Sequence, residues 1–250
     1  MRVGADTPPR RPRAECLDFV RILNPDLFGR VLVGSVTEVE TRPIESSFEI
    51  DVLAATASAA IEWVWSTHRD RVCVLSSMQD AVVIDLAMRV DRRIPVVFLD
   101  TGYHFAETLD TVQRIEQRYG IRVERITASA QRGDDIAPGA CCDSKPEMLD
   151  RALRERNAWI TGLQRSETEA RANAALIDAD RRGAVKVAPL AQWSDADREM
   201  YIARREVITN PLLDQGYDSI GCRTCTTPSV EGGRSGRWAG TERTECGLHF

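Results

Sequence analysis

The sequence contains no apolar run approaching the roughly 18 to 20 residues that a membrane span requires. It has no internal repeat and no excess of basic charge: 33 Lys and Arg stand against 38 Asp and Glu, a formal net charge of −5. That balance gives no electrostatic reason for nucleic acid as a partner, although a small anion can still occupy a locally basic pocket. The first 13 residues, Met1 to Arg13, carry basic side chains and three prolines with no apolar segment behind them. They lack the pattern of a signal peptide. These absences lead to the expectation of a cytoplasmic protein with neither a nucleic-acid nor a membrane partner. Structural disulfides are rare in that compartment, so seven cysteines call for metal binding or redox chemistry instead.

The 250 residues suffice for one large α/β domain with a full core. Residues 1–50 form a divergent N-terminal segment, with weak helical periodicity over Glu15 to Leu23 and a short strand pattern over Val31 to Val36. From Ile50 to Thr67, Ile50, Leu53, Ala54, Ala57, Ile61 and Val64 recur at helical spacing. Strands are then expected at Val72 to Leu75, Pro95 to Leu99 and Ile121 to Ile126, with helices at Ala81 to Val90 and Phe105 to Tyr119 between them. After a loop over Thr127 to Ala140 come a helix from Lys145 to Arg156, a strand from Ala158 to Gly162 and a strand at Val185 to Val187. A helix follows from Ser194 to about Arg205, with Ser194 as its cap and Asp195 and Asp197 in its first turn. Apolar strands alternating with helices require a parallel sheet. The α/β part is assigned to residues 51–220 and an irregular tail to 221–250.

Two thiols in Cys222-Arg223-Thr224-Cys225 can converge on one centre from a turn, and the pair Cys141 and Cys142 completes four sulfurs. Such a set suits zinc or an iron–sulfur cluster. Adjacent cysteines tend to diverge, which is awkward for one zinc ion and favours a [4Fe–4S] cluster. A thioredoxin-like Cys-x-x-Cys with two buried structural thiols is the competing reading. Cys246 stands apart in Glu245-Cys246-Gly247-Leu248-His249, preceded by Arg234, Arg237 and Arg243. A tail cysteine is more often incidental, but basic neighbours favour thiolates and guide anions. His249, three residues on in a loop of unconstrained pose, is a candidate to assist it through a hydrogen bond. Cys73 belongs to a core strand and should be inert; Cys16 is ordinary.

Ser76 to Asp80 follows a strand and opens a helix, where doubly wound domains bind ligands. Ser76, Ser77 and Asp80 there suit a phosphate or sulfate, with a plain helix cap as the alternative. The segment has none of the glycines of a Walker loop. Asp100, Thr101 and Gly102 take the corresponding place after the next strand, to hold adenosine or simply to make a turn. Lys145, Arg165 and Arg171 are charges that would complete an anion pocket if they are not merely solvated.

These segments together resemble a family. The carriers are Ser76-Ser77-Met78-Gln79-Asp80, Phe98 to His104, Cys141-Cys142, Trp159 to Leu163, Arg171-Ala172-Asn173, Gly216 to Cys222, Cys225-Thr226, Arg234 to Trp238 and Glu245 to His249. The chain resembles the assimilatory adenylyl-sulfate (APS) reductases, the iron–sulfur branch of the sulfonucleotide reductases, from about residue 51 to the end. The resemblance implies an α/β fold of the adenine nucleotide alpha-hydrolase-like type, a parallel sheet flanked by helices with an irregular C-terminal tail carrying the catalytic Cys. It implies a [4Fe–4S] cluster on Cys141, Cys142, Cys222 and Cys225, with Lys145, Arg171, Arg234, Arg237 and His249 around substrate and cluster. It further implies attack by Cys246 on the sulfate sulfur of APS, release of AMP, and discharge of sulfite by thioredoxin. A homo-oligomer, dimer or tetramer, is also implied. The segment Cys142-Asp143-Ser144-Lys145 is one residue shorter than in most members, and Asp143 weakens the positive field there. Alternatives are a reductase for 3′-phosphoadenylyl sulfate (PAPS), a specialised paralogue acting on a related sulfonucleotide or supplying sulfite to a biosynthetic pathway, an ATP-using enzyme of the same fold, and a non-enzymatic iron–sulfur module.

Overall fold

The computed structural model describes residues 42–129, 136–137, 139–238 and 241–249. The expectations for residues 15–36, Cys16 included, and part of the Thr127 to Ala140 loop lie outside them. Helix α1 spans Arg42–His68, so the helix expected from Ile50 begins eight residues earlier. Among its described side chains, Ile50, Ala57, Ala60, Ile61, Val64 and Trp65 are buried, a stripe at helical spacing that faces the sheet.

Six strands form one sheet in the order β3-β2-β1-β4-β6-β5. They are β1 (Val72–Leu75), β2 (Val96–Asp100), β3 (Val123–Thr127), β4 (Ala158–Thr161), β5 (Ile177–Ala179) and β6 (Val185–Val187). All neighbours run parallel except β5, which is antiparallel to β6. All four residues of β1 are buried because it lies inside the sheet with both faces covered. Val72 and Val74 join the core beneath α1, while Cys73 and Leu75 join the core on the opposite face. β5 was not expected from the sequence. It has three residues, two of them exposed, and is folded back by a turn in which Asp180 accepts from the backbone N–H groups of Arg182 and Ala184.

Helices α2 (Val82–Val90) and α3 (Ala106–Tyr119) cross between the parallel strands. α3 ends at Gly120, whose φ of 63° closes the helix in the left-handed conformation that only glycine adopts at no steric cost. β3 starts at Val123, two residues after the expected Ile121. Helix α4 (Lys145–Ala152) is four residues shorter than expected. Arg156 explains the early stop: it turns back to bond the Ala152 carbonyl and pairs with Glu124 at 2.5 Å. Helix α5 (Asp195–Arg205) starts on the Ser194 cap as expected, with Ser194 Oγ accepting from Asp197 N–H at 3.1 Å. After α5 the chain runs through short turns and isolated bridges, the irregular tail expected from its composition.

β1 and β4 are sheet neighbours while the chain passes through β2 and β3 between them. Such a reversal of strand order opens a crevice at the carboxyl ends of the strands. The loop Ser76 to Asp80 leaves β1 at this point.

Candidate active site and thiol cluster

Ser76 to Asp80 is a shaped loop. Met78 has a φ of 63° and is fully buried, and its N–H bonds Ser76 Oγ at 3.2 Å. Asp80 is already engaged: Oδ1 caps the Val82 N–H at 3.0 Å and Oδ2 accepts from Arg198 at 3.1 Å. Behind the loop, buried Asn210 donates to the Met78 carbonyl and to Thr108. The loop lines a cleft of ≈ 1060 Å³, open mouth included. Ser76, Ser77 and Asp80 line it together with Lys145, Arg171, Arg234, Arg237, Cys246 and His249.

Beside the cleft, Cys141, Cys142, Cys222 and Cys225 are all buried in one small cluster that also holds Tyr103, Trp238 and Cys246. The sulfurs of Cys141, Cys142 and Cys225 lie within 4.8 Å of one another, an arrangement able to hold a metal. The fourth, Cys222, has its sulfur 3.0 Å from Thr101 Oγ1. Trp238 Nε1 donates to Cys142 at 3.4 Å and Thr224 Oγ1 to Cys141 at 3.7 Å. Donors aimed at buried sulfurs fit thiolate ligands. Contact with Cys141 draws both the Cys222 and Cys225 thiols below the ordinary thiol range. Cys73 differs: burial pushes its thiol up to about 12, which disfavours the reactive thiolate.

Lys145 starts α4 and is 8% exposed. Burial opposes its charge, but the sulfurs of Cys246, Cys222 and Cys142 outweigh burial and raise its pKa above the ordinary lysine value. Asp143, expected to weaken the local field, is instead paired with Arg243 at 2.8 Å. Arg237 bonds Ser219 at 3.2 Å and lies 4.3 Å from the Trp238 ring centre. Its guanidinium passes directly over Gly221, where a Cβ would overlap it.

The tail is docked. Cys246 is 8% exposed, Leu248 packs against two apolar clusters, and His249 stacks on Trp159 at 5.7 Å with the rings 12° from parallel. Burial, then Arg171, Lys186, Arg234 and Lys145, keep His249 neutral, with its pKa well below the ordinary value.

Four sequence candidates do not line the cleft. Arg165 gives its Nε to the Ala174 carbonyl at 2.7 Å, a structural bond within the loop. Asp100 caps the Gly102 N–H at 2.9 Å, and Thr101 faces Cys222, so Asp100-Thr101-Gly102 meets the thiol cluster. Conversely, the cleft includes residues not singled out from the sequence. Gln79 ties the loop to the second cysteine pair through the Ile220 N–H at 2.9 Å. His104 is held beside Phe98 at 4.6 Å, with burial and then Lys145 lowering its pKa to about 4. Gln79, His104 and Ser219 lie inside recognisable motif segments; Arg198, on α5, carries no local signal.

The family described as phosphoadenosine phosphosulfate reductase domain matches residues 71–228. An adenosine 5′-phosphosulfate reductase of Streptomyces coelicolor is 44% identical over 209 residues, covering 78% of this chain and 89% of its own. The adenosine 5′-phosphosulfate reductase of Rhodococcus opacus is 40% identical over 241 residues, covering 87% of this chain and 98% of its own. Among solved structures, the PAPS reductase of Candida auris in a phosphate complex superposes with a TM-score of 0.60 at 24% identity, covering 78% of this chain and 100% of its own. At 14% identity and the same TM-score, the FMN adenylyltransferase of Candida glabrata shares the fold over 77% of this chain and 68% of its own. These two likenesses speak for the fold alone. On the family match and the two close relatives, the chain belongs to the phosphoadenosine phosphosulfate reductase domain family, and its buried cysteines are consistent with the iron–sulfur branch of adenosine 5′-phosphosulfate reductases.

Proposed function

We propose that this chain reduces APS to sulfite and AMP through an S-sulfocysteine on Cys246, with a thioredoxin-type dithiol as reductant. The observation that carries the reading is the meeting of Cys246 with Lys145, Arg234 and Arg237 in the cleft that the Ser76 to Asp80 loop also lines. A nucleophile and fixed positive charge therefore line one cleft together with the loop at the carboxyl end of β1.

In this mechanism the Cys246 sulfur attacks the sulfur of the sulfate group. A sulfur–sulfur bond forms, the bond from that sulfur to the bridging phosphate oxygen breaks, and AMP departs with the electron pair. Lys145, Arg234 and Arg237 offset the charge that grows on the phosphate. His249, stacked on Trp159, lines the cleft together with Cys246. A thiolate of the external dithiol then attacks the Cys246 sulfur and displaces sulfite. The second thiol resolves the mixed disulfide, so the dithiol is oxidised by two electrons and Cys246 returns as a thiol. Cys141, Cys142, Cys222 and Cys225 would hold a [4Fe–4S] cluster. That group, when bound, supplies structural support and a fixed charge field beside Lys145.

A second reading of the metal has one observation behind it. Cys141 and Cys225 sulfurs lie 3.6 Å apart, close to the roughly 3.8 Å edge of a tetrahedron with zinc–sulfur bonds of about 2.3 Å. Metal and sulfide analysis of anaerobically purified protein separates the two: about four iron and four sulfide per chain are expected for the cluster, and one zinc without sulfide contradicts it. The activity is tested by sulfite release from APS and PAPS side by side, with thioredoxin and without oxygen. Preference for APS is expected; preference for PAPS, or no sulfite from either, overturns the reading.

A further inference from the structure

Glu245, the residue before Cys246, is gripped on both carboxylate oxygens. Arg171 donates from Nε to Oε1 at 2.7 Å and from Nη2 to Oε2 at 2.6 Å, and Thr168 Oγ1 adds a third bond to Oε1 at 2.7 Å. The remaining Arg171 Nη1 goes to Glu167 at 2.5 Å. Arg171 is 4% exposed, and all three of its nitrogens face carboxylates: Nε and Nη2 the tail's Glu245, and Nη1 Glu167. Bidentate, charge-assisted pairs of this kind are the strongest hydrogen bonds a side chain makes, and they fix direction as well as distance. Beyond Cys246, Gly247 turns the chain with a φ of 78°, which brings Leu248 onto the apolar clusters and His249 onto Trp159. Cys246 is thus held from both ends, and Glu245 is the only charged side chain of the segment from Glu245 to His249 given to that hold.

We propose that Glu245 is a positioning residue whose carboxylate docks on Arg171 and Thr168 and so sets Cys246 in the cleft. A guanidinium shared by Glu245 and Glu167 has its charge balanced locally. Arg234 leans toward the same carboxylates only at 3.6 and 4.0 Å, and Arg237 makes no ion pair among the described residues. The catalytic meaning of the dock rests on the function proposed for Cys246, but the dock itself is measurable without turnover.

The test is the rate at which iodoacetamide alkylates Cys246 in the metal-loaded protein, read by peptide mass mapping. Three variants are compared: Glu245→Gln, which removes the charge; Arg171→Lys, which keeps the charge and loses the fork; and Thr168→Val, which changes no charge. Loss of a hydrogen bond to a charged group predicts acceleration on the order of tenfold for Glu245→Gln and Arg171→Lys, and a smaller acceleration for Thr168→Val, with metal content unchanged. In turnover, Glu245→Gln lowers kcat with the KM for the sulfonucleotide little changed. The proposal is overturned if Arg171→Lys and Thr168→Val alkylate like the unaltered protein, even where Glu245→Gln is faster, since that would be a charge effect alone. It is also overturned if Glu245→Gln raises KM and leaves kcat intact. A protein that forms no sulfite but shows the alkylation pattern would refute the proposed function and leave the dock standing.

Discussion

The hydroxyl of Thr101, at the carboxyl end of β2, lies 3.0 Å from the sulfur of Cys222. A turn that the sequence offers as a nucleotide contact thus ends on a thiol 121 residues away. The Ser76 to Asp80 loop, the turn and the second cysteine pair form one connected unit, because Gln79 also reaches across to the Ile220 N–H.

Thr101→Val removes this contact while keeping the side chain's shape. Loss of one hydrogen bond to a thiolate ligand is expected to make the bound metal several-fold quicker to leave toward a chelator, since partners beyond the ligands commonly carry tenfold or more of metal affinity. AMP binding should change little. Bleaching of the metal-loaded protein under chelator, alongside AMP titration, checks both; weakened AMP binding with unchanged metal loss would return Thr101 to the nucleotide.

Gly221 is required by Arg237. A Cβ at residue 221 would overlap the guanidinium, so Gly221→Ala forces Arg237 out of its place between Ser219 and Trp238. The displaced atoms are the far end of a flexible side chain, so the move itself is cheap and the melting temperature should change little. Activity should nevertheless fall by tenfold or more if Arg237 stabilises the leaving phosphate, since each roughly 1.4 kcal/mol in the barrier is tenfold in rate. A variant with unaltered activity would show that Arg237 has room to move.

Acid should loosen the tail. His249 is buried among Arg171, Lys186, Arg234 and Lys145, and its pKa in the folded chain lies well below the ordinary value. The folded state therefore binds this proton less readily than the unfolded state. Its contribution to stability is whole above the unfolded histidine pKa of about 6.5 and declines as pH falls below it. Glu245, whose pKa Arg171 lowers against the opposing effect of burial, adds a loss of the same sign at lower pH, as its carboxylate takes up a proton. Melting temperatures measured from pH 8 to pH 5 should fall on the acid side, and less steeply for His249→Gln; identical slopes would remove His249 from the account.

Much of the architecture was legible in the sequence because it depends on local periodicity. Val72 to Leu75 reads as a short strand from four apolar residues, and Ser194 reads as a cap ahead of Asp195 and Asp197 in the first turn. β5 was not legible: three residues, two exposed, make no pattern against their polar surroundings. The site was legible where its chemistry lies in the residue types, as in the two cysteine pairs. It was not legible where roles depend on partners far along the chain. Arg165 and Arg171 stand in the same polar stretch, and only the fold sends one to a backbone carbonyl and the other to Glu245, 74 residues away. For the same reason Asp143 reads as a weakening charge in sequence, yet is matched by Arg243 in space.

The claim at the centre of this account is that Cys246 takes the sulfo group. The most direct measurement mixes metal-loaded protein with APS, without oxygen and without any reductant, and maps the peptides by mass. The account predicts one SO3 group on the peptide containing Cys246, formed with one equivalent of AMP, and neither product with Cys246→Ser. AMP released without that adduct, or an SO3 group carried by any other residue, would contradict it.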